Sequence, residues 1–454
     1  MFSRRYEIEM TKVPVMSGLV SFFIPLMISG LLQLLFNAVD LVVVGRFTGS
    51  DALAAVGATS SLINMFINLL MGVSLGVNVL TARYIACRDD EKTEAAVHTA
   101  ILFAFLVGLG LLVFGMAFAR PALGLMGTPE GVIGLSTLYM RIYFCGMPFF
   151  MVYNYGAAVL RAAGDTQRPL FFLLIAGVLN AGLNLFLVIV FQLGVAGVAI
   201  ATVFSQMVSC LLVVGCLCRS QSSYRLNLRH LRIEPQLLLR MLKLGLPCGA
   251  QSMVISFSNV LLQSSVNSFG ALAMAGYTAC NNIMSMFYAC INSITQACMT
   301  FTSQNYAVHN FDRMKRIVRD GMLLETILCL IMGIGCYLIG PQLLSIYNSS
   351  AEVIGYGMEI ALVTYPTYIL CGYMDCLPGF MRGMGNSTIP MLLSLLGTVG
   401  TRIVWILFFF PLHRSLGFLF ISYPLSWLIA AIMQGVCLAL VSRRVYHKAE
   451  GELL

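Results

Sequence analysis

Apolar runs separated by short polar or basic breaks recur along the whole chain. A run of about 20 residues is enough to cross the hydrocarbon core of a bilayer as a helix, the one open-chain form that satisfies its own backbone there. Twelve such segments are read, near 20–45, 53–82, 95–119, 131–160, 169–191, 194–218, 244–267, 272–302, 322–340, 354–381, 390–411 and 415–441. The pattern is also written twice. Leu160-Arg-Ala-Ala-Gly-Asp-Thr-Gln-Arg-Pro169 returns as Met381-Arg-Gly-Met-Gly-Asn-Ser-Thr-Ile-Pro390, with Arg161 and Arg382 separated by 221 positions. Pro25 and Pro247, Asn37 and Asn259, and Gly197 and Gly417 keep nearly the same spacing. The expected fold is therefore an all-α integral membrane protein, with twelve transmembrane helices in two parallel six-helix repeats around a central cavity. The expected division is an N-terminal lobe over 1–218, a cytoplasmic linker over 219–243 and a C-terminal lobe over 244–454.

Composition strengthens this picture, and charge gives it a direction. Apolar residues make up 59%, charged residues 10%, and mean hydropathy is +0.88. Of the 27 Lys and Arg, only Arg46, Arg120 and Arg414 fall on the far side, and Arg141 and Arg402 lie inside spans. By the positive-inside rule both termini and the 219–243 loop are expected in the cytoplasm of a multi-pass plasma-membrane protein. The net charge of +8 is thus topological, and its scatter over short loops argues against nucleic acid as a partner. The charged lead Arg4 to Lys12 lacks a cleavable leader's pattern and is expected to be retained. The 14 Cys lie mostly in apolar helices and read as packing residues, including the neighbours Cys216 and Cys218. Residues 233–244 predict either an amphipathic surface helix or an extension of the seventh span.

The duplicated motif reads first as a device for turning the chain back into the membrane. Arg161 and Arg382 can snorkel to the headgroups, and Gly164 and Gly385 permit a left-handed helix end. Asp165-Thr166 and Asn386-Ser387 can cap the next helix.

Ionisable groups inside spans are expensive and usually face a cavity or a partner. The acidic ones are Asp40, Glu325, Glu359 and Asp375. Asp40 ends a polar stripe of Ser29, Gln33, Asn37 and Asp40 at helical spacing on the first span, with Asn37 a further ion-coupling candidate. Counting 1.5 Å per residue from the outer ends puts Asp40 about 8 Å down, Asn184 and Thr202 about 12 Å, and Asn180 about 18 Å. One carboxylate, two amides and a hydroxyl can meet there, an oxygen set suited to Na+ or to a proton relay. At the repeat offset these four become Leu262, Thr401, Trp405 and Ser422, so only the first half keeps the charge. In the second half, Asn259, Gln263, Asn281, Tyr288, Asn292, Tyr365, Tyr368 and Asp375, together with Gln33, are candidate lining for a cavity that accepts amphipathic cations. Arg402 is expected to pair with Asp375, Glu325 or helix-end carbonyls.

These residues resemble the multidrug and toxic compound extrusion (MATE) transporters over essentially the whole chain. The resemblance rests on Pro25 to Gly45 with Asp40, Leu53-Ala-Ala-Val-Gly57, Arg161 to Thr166, Gly194-Val-Ala-Gly-Val-Ala-Ile-Ala-Thr202 and Arg382-Gly-Met-Gly385. It implies an exporter of bulky, often cationic organic compounds driven by H+ or Na+, with no other cofactor. Asp40, Asn180, Asn184 and Thr202 match the N-lobe cation site of the DinF-like branch, with Asn184 standing where some members carry Asp. The expected partners are the lipid bilayer and small organic substrates, and a monomer is expected. The alternative is a flippase for lipid-linked oligosaccharide or another lipid from the same wider superfamily, which a strongly basic cavity would favour. No P-loop, H-E-x-x-H or paired-Asp motif points to an enzyme.

Overall fold

The computed structural model describes residues 7–452, so Arg4 and Arg5 of the charged lead lie outside it. All regular structure among the described residues is helical; besides the short helices Leu228–His230 and Gly340–Ser345 it gathers into twelve rods. In the first repeat these are α1 (Val15–Phe47), α2 (Ser50–Ala86), α3 (Asp90–Leu125), α4 (Glu130–Cys145 with Met147–Ala162), α5 (Gln167–Val190) and α6 (Gly194–Arg219). The second has α7 (Pro235–Asn267), α8 (Ala271–Ala307), α9 (Phe311–Leu338), α10 (Ala351–Thr364 with Tyr368–Gly383), α11 (Thr388–Leu412) and α12 (Leu416–Val445).

Eight of these are single helices long and apolar enough to cross a membrane, and the bent rods α4 and α10 bring the number to ten. The other two, α7 and α8, are 33 and 37 residues long but too polar to qualify by apolarity. They carry Asn259, Gln263, Asn281, Tyr288 and Asn292, the polar residues noted above. Segments 131–160 and 354–381 are broken, by 46° and 53°. Pro148 starts the second part of α4, and Pro366 sits in the break of α10. A proline lacks the amide that would continue the ladder, which accounts for both bends.

The repeat is conformational as well as sequential. Six of the nine described residues with positive φ fall in matched pairs: Gly49 and Gly270 (φ 93° and 95°), Arg88 and His309 (55° and 56°), Gly164 and Gly385 (92° and 90°). Helix caps match as well, with Asp89 accepting from Lys92 N and Asn310 from Arg313 N. In the duplicated motif, Asp165 Oδ1 accepts from Gln167 N at 3.1 Å and Arg168 N at 3.0 Å, and Asn386 Oδ1 accepts from Ile389 N at 3.4 Å. Capping thus falls to the Asp and Asn, while Thr166 and Ser387 make no side-chain cap bond. Arg382 differs from the snorkelling expectation, because its guanidinium donates to Gln251 Oε1 at 2.8 Å. The 233–244 stretch resolves as an extension: α7 runs unbroken from Pro235.

Two compact units emerge. One comprises Ile28–Gly245 with the stretch ending at Glu9, and the other Leu246–Leu454 with Met10–Met27. The continuous helix α1 therefore changes unit two residues after Pro25. In the N-terminal unit, α3 meets the break of α4 where a Cβ on Gly108 would lie 2.4 Å from Pro148 Cα. Small residues at such crossings let backbones approach, the usual basis of helix packing in membranes. The C-terminal unit instead centres on aromatics: Phe287 packs against Tyr365 and Tyr368, and Tyr368 against Trp427.

Candidate functional site

In the N-terminal unit, α1 and α5 approach closely because Gly177 has no side chain. A Cβ there would fall 1.9 Å from the Phe36 ring. Phe36 and Asp40 are four apart on one face of α1, and Gly177, Asn180 and Asn184 share one face of α5. Seating Phe36 on Gly177 therefore brings Asp40 to Asn184. The Asn184 amide nitrogen donates to Asp40 Oδ1 and to Asn180 Oδ1, the latter at 3.2 Å. Asn180 Nδ2 reaches Thr202 Oγ1 on α6 at 3.4 Å, and that hydroxyl donates to Val198 O at 3.0 Å. The four residues placed together by depth counting do meet.

Asn184 is fully buried, yet its Oδ1 has no hydrogen-bond partner. A buried oxygen left open costs about 1–3 kcal/mol, so it needs a reason. Here it lies on the side chain that holds the carboxylate. Directly after Asn184 the helix widens into the π-turn Phe186–Val190, a form that recurs at functional sites. Three nearby residues were not anticipated. Tyr139 and Tyr143 of α4 stand within electrostatic range of Asp40, and Tyr143 lies beside Gln206 of α6. Gln206 Oε1 is a second buried oxygen without a partner. The signal was present: Tyr139 and Tyr143 are four apart, as are Thr202 and Gln206. Asn37 and Gln33 are exposed, and no hydrogen bond joins them to the cluster.

No described Lys, Arg or His forms an ion pair with Asp40. Among the described residues, no three His, Cys, Asp or Glu side chains gather as a metal site. One carboxylate with amide and hydroxyl oxygens can accept a proton or a small hard monovalent cation. Gly177→Ala should drive Phe36 and α1 away from α5. Overpacking of this kind costs about 1–3 kcal/mol, so purified protein should melt at lower temperature. An unchanged melting curve would refute the seating argument.

The C-terminal unit answers these positions differently. Leu262 and Ser422 are fully buried, and Trp405 Nε1 donates to Phe418 O at 3.0 Å. Arg402, only 3% exposed, corrects an expectation: it meets no carboxylate. It donates to Asn259 Oδ1 at 2.9 Å and Ser426 Oγ at 3.3 Å, and lies 4.0 Å over the Tyr423 ring. Neutral acceptors and a π face hold this charge. Glu359, for its part, accepts from Gly417 N at 2.7 Å.

The candidate cavity residues divide. Tyr288 is half-exposed and faces Asp375, which is also within electrostatic range of Arg382. Asn281 is exposed. Gln263 donates to Asn267 and Gln296 to Asn292, both bonds within one helix. Tyr365 and Tyr368 are buried in the aromatic core, where Cys280 Sγ lies 3.6 Å from the Tyr365 hydroxyl and Tyr368 donates to Met284 O at 3.2 Å. Both phenols are satisfied inside the unit, so these two belong to its packing.

Twelve rods in two matched repeats, with buried ionisable groups inside them, define a multi-pass membrane protein of transporter architecture. The chain matches MatE over residues 25–186 and 247–407, one stretch in each repeat, and belongs to that family. Among similar proteins, the "Probable multidrug resistance protein YoeA" of Bacillus subtilis (strain 168) is 29% identical over 432 residues, 93% of each chain. The "Multidrug export protein MepA" of Staphylococcus saprophyticus is 21% identical over 428 residues, 91% of this chain and 95% of its own. A solved outward-facing multidrug resistance MATE family transporter of the MOP superfamily superposes with a TM-score of 0.90. It is 20% identical, over 97% of this chain and 99% of that one, and shares the fold.

Proposed function

We propose that this transporter exports small amphipathic, often cationic organic compounds in exchange for an inward-moving monovalent cation, H+ or Na+, bound at Asp40. The observation that carries the reading is the Asp40–Asn184–Asn180–Thr202 cluster with the open Asn184 Oδ1. Turning the Asn184 amide over would replace its N–H with an oxygen beside the carboxylate, forming a ligand pair for the cation. Relatives named for multidrug resistance and export support the substrate class. The same four residues support placement near the DinF-like branch.

Neutralising Asp40 changes what holds α1 against α5. Pro25, which removes one ladder bond, gives α1 a place to bend. A cation that binds one conformation better shifts the transporter toward it by that difference in affinity. The basic residues favour cytoplasmic termini. On this reading the working protein is a monomer with sequence repeats at 1–218 and 244–454 and a cytoplasmic linker at 219–243, residues 10–27 of the first repeat packing in the C-terminal unit. The substrate-facing polar groups then include Asn259, Gln263, Asn281, Tyr288, Asn292 and Asp375.

The test is ethidium transport in proteoliposomes, with proton and sodium gradients imposed separately. One gradient should drive the dye against its concentration, and collapsing it should stop transport. Ethidium indifferent to both gradients would overturn coupled export and favour a lipid substrate.

A further inference from the structure

Glu325, on α9 of the C-terminal unit, has no part in the Asp40 reading. It is a fully buried carboxyl group. Oε1 accepts only a thiol bond, from Cys329 Sγ at 3.4 Å, and Oε2 has no partner. No described Lys, Arg or His forms an ion pair with it. Gly372 of α10 lies against the carboxyl: a Cβ there would fall 2.6 Å from Oε1 and 2.8 Å from Cys329 Sγ. The pocket is shaped around this acid.

The groups facing Glu325 explain which ligand it can hold. From α8 comes Cys290, and from α10 come Asp375 and Cys376, with Cys371 beside them. On its own helix stands Cys329. Thiols are poor ligands for sodium, and no cluster of metal-holding side chains is found among the described residues. An ionised carboxylate sealed among thiols, glycine and one further acid is strongly disfavoured, whereas its protonated form fits without a counter-charge.

We propose that Glu325 is a second proton-binding site, in the C-terminal unit and chemically distinct from the oxygen-lined site at Asp40. Its proton has a stepping stone to the surface. Gly372 and Asp375 are one turn apart on the same face of α10, which puts the second carboxyl next in line. Tyr288, 46% exposed, faces Asp375 from α8. The path is therefore Glu325 to Asp375 to Tyr288, with Arg382 within electrostatic range of Asp375.

Infrared spectroscopy of the intact protein in lipid nanodiscs tests this without any substrate. At neutral pH the wild type should show a protonated-carboxyl C=O band that is lost in Glu325→Gln. The band should shift on transfer to D2O, showing that the proton exchanges with solvent. If Glu325→Gln does not fold, Glu325→Asp should move the band to a new frequency. A wild type without the band, a band unchanged in the variants, or a band locked against deuterium would each overturn the proposal. None of these outcomes depends on Asp40 or on the nature of the exported compound.

Discussion

Asp40→Asn should abolish gradient-driven ethidium export while the protein stays folded. The replacement has nearly the same shape and can still hydrogen-bond to Asn184, so the seating of α1 on Gly177 survives. What it removes is the single charge of the cluster. At an effective dielectric of about 20, a unit charge about 4 Å away contributes about 4 kcal/mol. At 1.36 kcal/mol per tenfold, that is roughly a thousandfold weaker hold on a cation. A proton site is lost outright, because an amide does not titrate. The comparison is dye export in proteoliposomes under each gradient, with melting curves for both proteins. Export at wild-type rate under a gradient would sink the assignment and leave Asp40 a packing residue.

Depth along a helix was legible in the sequence; what faces across from another helix was legible only where both ends of the count were fixed. Asp40, Asn180, Asn184 and Thr202 lie near the outer ends of their spans, so each could be counted inward from a nearby break. Arg402 and Asn259 could not be matched in the same way. The helix bearing Asn259 starts at Pro235, nine residues before the apolar run that marked it, so its level against α11 was hidden. An Arg in a span also calls for a carboxylate by simple charge reasoning. Tyr423 and Ser426 became acceptors only through the packing of α12 on α11. The bends of α4 and α10 could have been read from Pro148 and Pro366, but unbroken apolarity concealed them. Even less visible was the change of unit within α1, since both sides of Pro25 are equally apolar. The repeat itself carried furthest, because left-handed Gly164 and Gly385 need the same residue type at both positions.

Asn184→Asp should turn the cluster into a stronger cation site and make transport depend on sodium. The wild-type cluster sets a single negative charge against amide and hydroxyl groups. The variant would place a second carboxylate where the Asn184 amide now touches Asp40. Two such charges repel by about 4 kcal/mol at 4 Å and an effective dielectric of about 20, so the pair cannot remain ionised without a cation or a shared proton. Sodium relieves that repulsion and gains both carboxylates as ligands, together with Asn180 and Thr202 oxygens. Its affinity should rise by roughly two to three orders of magnitude, with each 1.36 kcal/mol worth tenfold. In the absence of sodium, the variant should melt earlier than the wild type; adding sodium should restore or exceed wild-type stability, because a ligand that binds only the folded state stabilises it by RT ln(1 + [L]/Kd). The measurement is a sodium titration of melting temperature, with potassium at equal ionic strength as the control. A variant that melts alike in sodium and potassium would show that Asn180 and Thr202 do not complete a cation shell with residue 184, and the N-terminal site would then reduce to proton exchange at Asp40 alone.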